Sequence, residues 1–401
     1  MLDYVILQDF KANRLVWLIL IVGMLPLWAG GYCMYVLIVL LPIVLFHYRK
    51  IDGTCLLILS FSILYTYFQY SNGHAYSPSA LIFDLIFPFI IYQTGAYLVE
   101  RQRSPKSSLL LLCLMALALA IPAIMDSVND AISTGQLINV SRAIKKNTED
   151  VARSATGYGM MLAIMAGCIG IVLLKPNNKL DARLKVIIAI ASVLAIFATI
   201  HLVNRTGLVL AAISIVCVVF LPPYSFKKNV YTVVSLIVIA GVVFYFLGDS
   251  AFFSDALDQY DARDTGGGSV DSAGGRTERW EAAISQLTAQ PWGSDKGLCL
   301  NGKFANAHNM WLDAGVVAGI VPMILLIWIG IIYIRAIFRM YRVEYLNQFE
   351  RNTLVLIGVA LFLQLNTEPV MQGLFQFFLY FIFYTSVVSN MNRKYGTVFY
   401  S

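Results

Sequence analysis

The chain holds 401 residues, of which 59% are hydrophobic and 13% charged, with six cysteines and a formal charge of +6; soluble domains carry roughly a quarter of charged residues. That balance excludes a soluble globular protein and points to an integral membrane protein. The cysteines, at 33, 55, 113, 168, 217 and 299, show no paired spacing, so neither a disulfide framework nor a zinc site is indicated.

Apolar runs close to the ~20 residues that a helix needs to cross hydrocarbon recur along the whole length. A barrel would read as alternating strands of about ten residues, so helices are the spanning element. In chain order the spans fall near 14–29, 31–47, 54–70, 80–99, 108–125, 157–174, 186–203, 206–222, 229–248, 307–334, 352–367 and 371–391, which makes about twelve transmembrane helices in an all-α fold. The first two form a helical hairpin that turns at Trp28-Ala29-Gly30-Gly31. With the N-terminus in the cytoplasm, the inner connections collect Lys11, Arg14, Arg49, Lys50, Arg101, Arg103 and Lys106, then Lys175, Lys179, Arg183, Lys185, Lys227 and Lys228, and finally Arg335, Arg339, Arg342, Arg351, Arg393 and Lys394. These are most of the 29 basic residues, as positive-inside orientation requires. Both termini are therefore expected in the cytoplasm, and the net charge reflects orientation rather than affinity for nucleic acid. Met1–Arg14 lacks the short apolar core and cleavage site of a signal peptide.

This topology divides the chain into helices over 1–248, an outer loop over 249–306 and closing helices over 307–401. A smaller outer loop, 126–156, is polar and reads as a solvated connector or a short helix lying over the membrane. The larger loop has internal design. Gly266-Gly267-Gly268-Ser269 and Gly274-Gly275 are linkers, after which Arg276–Leu287 reads as a helix that Pro291 terminates. Trp280, Ile284 and Leu287 recur on it at i, i+4, i+7, an amphipathic stripe suited to the lipid interface. Arg276 and Arg279 lie one turn apart, so both guanidinium groups can face one spot. A turn-rich return from Trp292 to Asn306 leads into a span starting at His308, whose Gly315 and Gly319 form a G-x-x-x-G pair that admits a close neighbour.

Arg205, in His201-Leu-Val-Asn204-Arg205-Thr206, is wedged between two spans at their outer ends. It is either a snorkelling turn residue or a ligand site, and a planar guanidinium suits a pyrophosphate. Arg276 and Arg279 alone would be a solvated charged face; the linked Trp280 stripe sets them at headgroup depth. His308 lies where loop becomes helix. A lone histidine is usually structural, yet imidazole is the side chain best suited to take a hydroxyl proton near neutral pH. Asp313, five positions on, falls on another helical face and makes a poor orienting partner. Glu368, in Glu368-Pro369, either caps the last helix through its dipole or serves the site; Asp84 and His201 have weaker claims. No P-loop, dinucleotide fingerprint, H-E-x-x-H or G-x-S-x-G occurs, and Asp255, Asp258, Asp261 and Asp264 read as a solvated run rather than a cation cage.

Twelve spans, one large late outer loop, Arg276 followed by Trp280, and Pro291-Trp-Gly leading to His308-Asn309, Gly315 and Gly319 together resemble the O-antigen polymerase and O-antigen ligase superfamily of bacterial envelopes. Arg205 adds to the match. The topology covers nearly the whole chain, whereas the residue-level likeness is confined to 204–206 and 274–319. The resemblance implies an inner-membrane, multi-pass glycosyltransferase of GT-C architecture, with its loop and active site periplasmic and no metal or cofactor. The donor would be an undecaprenyl-pyrophosphate-linked glycan. Arg205 and Arg276 would bind the leaving diphosphate and His308 would activate or orient the acceptor hydroxyl; Arg279, for which the family offers no fixed counterpart, Trp280, Asn309 and Glu368 are the further substrate-binding candidates. A polymerase, extending a second lipid-linked repeat, is preferred for the aromatic-rich spans and for Trp311-Leu312-Asp313. Its expected partners are membrane lipids and a chain-length regulator protein. A ligase acting on lipid A-core and a polysaccharide flippase are the alternatives.

Overall fold

A computed structural model describes residues 2–26, 32–47, 51–74, 78–139, 143–144, 153–221, 231, 234, 276–300, 303–342, 345–371 and 373–396. The helices are α1 (Leu2–Gly23), α2 (Leu40–His47, led by a 3-10 segment Tyr32–Val39), α3 (Gly53–Ser71), α4 (Pro78–Arg101), α5 (Pro105–Thr134) and α6 (Ala155–Ala166, followed by a 3-10 segment Ile169–Leu173). They continue as α7 (Lys179–His201), α8 (Arg205–Phe220), α9 (Arg276–Ala289), α10 (Met310–Ala318), α11 (Ile320–Arg342), α12 (Gln348–Thr367) and α13 (Phe375–Gly396). Among the described residues two short antiparallel strand pairs complete the elements, β1 (Ala143–Ile144) with β2 (Arg153–Ser154) and β3 (Leu298–Leu300) with β4 (Lys303–Ala305). The expected span 229–248 and the acidic run Asp255–Asp264 lie outside the described residues, apart from Tyr231 and Val234.

Among the described residues three helices are long and apolar enough to cross a membrane: Pro105–Thr134, Lys179–His201 and Ile320–Arg342. Shorter apolar helices cover Cys33–Phe46, Gly157–Leu173 and Arg205–Phe220. The exposed faces are apolar where a soluble protein would be polar. On α11, Ile324, Ile327, Trp328 and Ile331 form an exposed stripe at helical spacing, and Val186, Ile190 and Val193 do so on α7. Continuous exposed apolar surface of that kind marks an interaction with lipid or protein. This is a membrane-protein pattern.

Several expected boundaries move. α1 starts well before residue 14 and kinks at Asn13, whose backbone leaves helical geometry while its side chain donates to Asp9 O at 3.0 Å. The 157–174 run is interrupted at Gly167-Cys168 between α6 and the 3-10 segment. α5 continues through Asp126 and Asp130 to Thr134, into what reads from sequence as loop. The expected span 307–334 breaks at Gly319, whose φ of +89° ends α10 ahead of the apolar α11.

The chain divides into two compact units. The first comprises Met1–Leu119, Arg276–Asn347 and Leu365–Ser401. At its centre runs α13, buried all round from Gln376 to Val388, the signature of a helix with no solvent face. Its aromatic rings meet each neighbour: Phe378 approaches Phe61 of α3 at 5.7 Å, and Phe381 and Tyr384 approach Tyr333 of α11 at 5.0 and 5.1 Å. Against α4 the approach is backbone-close, because Gly95 leaves room for Ser386, whose Oγ would lie 2.7 Å from any Cβ there and donates to Tyr92 O at 2.5 Å. Close packing over small residues with polar contacts is what associates helices in lipid, where apolar burial alone gains little.

The second unit comprises Ala120–Gly275 and Gln348–Gln364. Glycines again set the contacts: Gly167 faces Ala360, and Gly207 faces Thr199. Some of its polar groups pair inside the unit. Tyr158 donates to Asp126 Oδ2 at 3.0 Å, and the fully buried His201 ring lies 2.9 Å from both Asp130 Oδ2 and Leu137 O.

Candidate active site

In the first unit α9 is the element that builds the site. Glu278 in its first turn suits the positive end of the helix dipole. Its inner face does not point to lipid as the Trp280, Ile284, Leu287 stripe predicts. Ala283 and Leu287 are buried in a cluster with Leu298, Ala307 and Val316, Trp280 packs on that cluster, and Ile284 stays exposed. The stripe is divided because α10 and the β3–β4 hairpin cover one side of it. Gly315 is where Leu287 lands, since a Cβ there would meet the Leu287 δ-carbons at 3.1 and 3.2 Å.

Gly319 has a second role. Its left-handed backbone brings it onto the Pro291–Trp292 turn, and a Cβ would lie 2.7 Å from Pro291 O. Ile320 N donates to Pro291 O at 2.9 Å and Ser294 N to Val316 O at 3.0 Å, which closes the turn onto α10. Asn72, at the end of α3, donates to both Trp292 O and Val317 O at 3.0 Å, and His74 bonds Ser294 O. His74 is thereby a structural tie.

This frame presents His308 from a short bend before α10. Its φ of +54° is left-handed, a strained conformation for a residue with a side chain. Four contacts impose it. Asp313 accepts from Ala307 N at 2.7 Å and from Asn309 N at 3.3 Å, bracketing His308 on both sides. Trp280 Nε1 donates to Ala307 O at 2.8 Å, and Arg279 Nη1 to Asn306 O at 3.1 Å. Asn309 then caps α10, its Oδ1 accepting from Trp311 N and Leu312 N, both at 3.1 Å. Burial pushes the Asp313 carboxyl up to about 6, and the two amides, His308 and Arg279 pull it the other way.

Glu368 completes the arrangement. It does not open the last helix: it follows Thr367 at the end of α12, and α13 begins only at Phe375, so the expected dipole cap at the head of α13 is not made. Its side chain is 2% exposed, while Arg276 and His308 beside it are 25% and 19% exposed. Arg276 Nη2 lies 3.5 Å from Glu368 Oε1, and His308 Nδ1 lies 3.7 Å from Oε2. Arg276 Nε donates to Thr367 O at 3.1 Å, and Trp311 Nε1 donates to Asn366 Oδ1 at 2.9 Å, so the bend carrying Glu368 is pinned from α9 and from α10. The Arg276 guanidinium and the His308 imidazole thus meet over one buried carboxylate, and the guanidinium offsets part of the cost of burying its negative charge.

Of the sequence-predicted residues, Arg276, His308 and Glu368 meet directly, while Arg279, Trp280 and Asn309 hold the His308 bend. Arg279 Nη1 donates to the Asn306 carbonyl, whereas Arg276 contacts Thr367 and Glu368. Arg205 lies in the other unit as the first residue of α8. Asn204 caps that helix by accepting from Gly207 N at 3.2 Å, and Val203 before it has φ +52°. Gly159 admits the cap, since a Cβ there would come 1.9 Å from Asn204 Nδ2. His201 is held by Asp130 and Leu137 as a structural residue. Asp313 carries more than its spacing suggests: counting along a helix puts it off the His308 face, but His308 precedes the helix and Asp313 reaches back to the backbone around it.

A family model described as O-antigen ligase matches residues 190–327, a stretch that includes Arg205, Arg276, Arg279, Trp280, His308 and Asn309 and ends before Glu368. No curated protein matches the chain. Over residues 190–327 the chain is similar to the O-antigen ligase family, and this match supports the O-antigen polymerase and ligase superfamily as the group that it resembles.

Proposed function

We propose that this chain is a polymerase of O-antigen or a related surface polysaccharide, transferring an undecaprenyl-pyrophosphate-linked glycan onto a lipid-linked repeat unit at the periplasmic face of the bacterial inner membrane. The observation that carries the reading is the meeting of Arg276 and His308 over the buried carboxylate of Glu368. In the reaction the bond between the anomeric carbon and the diphosphate oxygen breaks, and the diphosphate leaves with the electron pair. The acceptor oxygen attacks from the opposite face, which inverts the anomeric centre. Its proton passes to the Nε2 side of His308, because Nδ1 faces Glu368.

Arg276 stabilises charge as it grows on the leaving diphosphate, the kind of fixed electrostatic contact that contributes most to such reactions. A planar guanidinium offers five donors in a fork that suits phosphate oxygens. Arg205 is proposed as a second guanidinium for the same group, on the strength of the resemblance. Diphosphate is a good leaving group once its charge is neutralised, so two guanidinium groups can serve where other enzymes use a divalent cation. GT-C architecture, cytoplasmic termini and a chain-length regulator as partner belong to this proposal.

The description of the matching family favours a second reading, an O-antigen ligase that transfers the glycan to lipid A-core. The machinery is common to both and the acceptor differs. Purified protein supplied with lipid-linked repeat alone, in the presence of a chelator, separates them. A ladder of products supports the polymerase, and turnover that starts only when lipid A-core is added supports the ligase. A flippase reading predicts that His308→Ala still moves substrate across the bilayer.

A further inference from the structure

One carboxylate in the first unit faces two groups that the transfer reaction uses at different moments, the Arg276 guanidinium and the His308 imidazole. At 3.5 and 3.7 Å these two contacts are longer than a hydrogen bond. Among the described residues His308 Nδ1 is buried and makes no hydrogen bond, although an imidazole that acts as a base generally needs its second nitrogen held. The bend bearing Glu368 is fixed through Asn366 and Thr367, so a small side-chain rotation suffices to close the gap to Nδ1. Arg276 draws on the other oxygen of the same carboxylate and so opposes that rotation.

We infer that Glu368 is a positioning residue that couples donor to acceptor: an anionic ligand taking over Arg276 frees the carboxylate to hold the Nδ1–H of His308, leaving Nε2 as the base. The ligand is a diphosphate, whose charge competes with Glu368 for the guanidinium. The inference rests on the proposed transfer chemistry and adds an order to it, since the acceptor is activated only when the donor is in place. The charged groups around His308 among the described residues are Glu368 after α12, Arg276 and Arg279 on α9, and Asp313 on α10. Of these Asp313 and Arg279 hold backbone, and Glu368 is the one whose carboxylate faces His308 Nδ1.

The test uses the full chain in detergent with 15N-labelled histidine and inorganic pyrophosphate as the probe. The chain has four histidines, and the His308→Gln spectrum identifies the resonance of interest. Pyrophosphate is expected to raise the share of the Nδ1–H tautomer of His308 by about threefold or more, as a charged acceptor at Nδ1 requires. In Glu368→Gln, which keeps the shape but not the charge, that response should fall by at least half, and Glu368→Asp, shorter by one methylene, should fall between. With lipid-linked substrate Glu368→Gln should lower kcat by roughly tenfold or more, with little change in KM for the acceptor. No tautomer change in the native chain, or an undiminished change in either folded Glu368 variant, overturns the coupling. Transfer that survives His308→Ala overturns the transfer reading instead, so the two failures are distinguishable.

Discussion

His308 occupies a left-handed backbone conformation, φ +54°, that costs a residue with a Cβ about 1–3 kcal/mol. Such strain persists only where the surroundings over-determine it, and here Asp313, Trp280, Arg279 and the Asn309 cap do so. Replacing His308 by glycine removes the strain together with the imidazole. We expect the thermal midpoint of His308→Gly in detergent to equal or exceed that of the native chain while product formation stops. Asp313→Ala acts in the opposite sense. It leaves the Ala307 and Asn309 amides without their acceptor, at about 1–3 kcal/mol, and releases the bend; unfolding temperature and turnover should fall together. At this scale the sequence was informative because charge is scarce: in a chain so apolar, Arg276, His308 and Glu368 stand out by residue type alone. What remained hidden was which atoms they face. The place of Asp313 depends on where α10 begins, and Glu368 was mistaken for a helix opener because nothing local shows that α13 starts seven residues later.

The α9, β3–β4 and α10 assembly works as one unit of packing, and its glycines are what allow it. Gly319 combines φ +89° with contact at 2.7 Å to the Pro291 carbonyl, so a Cβ meets both an unfavourable backbone and a fixed backbone oxygen. Gly319→Ala should destabilise the chain by more than the roughly 1 kcal/mol of an ordinary glycine exchange. We expect protease cleavage near Pro291–Ser294 to rise and activity to drop without any change in the chemistry-bearing side chains. The position of α9 was legible within two residues, from the Gly274-Gly275 linker and the Pro291 stop. Its orientation was not, because the 3.6-residue stripe that suits a lipid surface suits a protein surface equally well. Burial of Leu287 and exposure of Ile284 decide between them only in three dimensions. The G-x-x-x-G pair likewise predicted close approach without revealing that Gly315 would receive Met323 of α11 and Leu287 of α9 while Gly319 lies on the Pro291–Trp292 turn.

For the whole molecule the apolar exterior of α7 and α11 and the buried circumference of α13 express one principle, that lipid rewards packing of small and polar contacts inside while leaving apolar side chains outside. Helix content and the order of the apolar runs followed from hydropathy; the interruptions at Gly167, Gly319 and Asn13 did not, since a mean over a window cannot register a single broken turn. Orientation is open to direct measurement. Cys299 is exposed on β3, in the loop expected on the periplasmic side, so a membrane-impermeant maleimide should label it in intact spheroplasts; labelling only after the membrane is ruptured would reverse the topology. The central claim is that Arg276 and His308 perform glycosyl transfer from a diphosphate-linked donor. Its most direct test is turnover of lipid-linked repeat by purified protein in chelator, comparing the native chain with folded Arg276→Ala and His308→Ala. The account predicts product from the native chain alone, whereas undiminished product from either variant contradicts it.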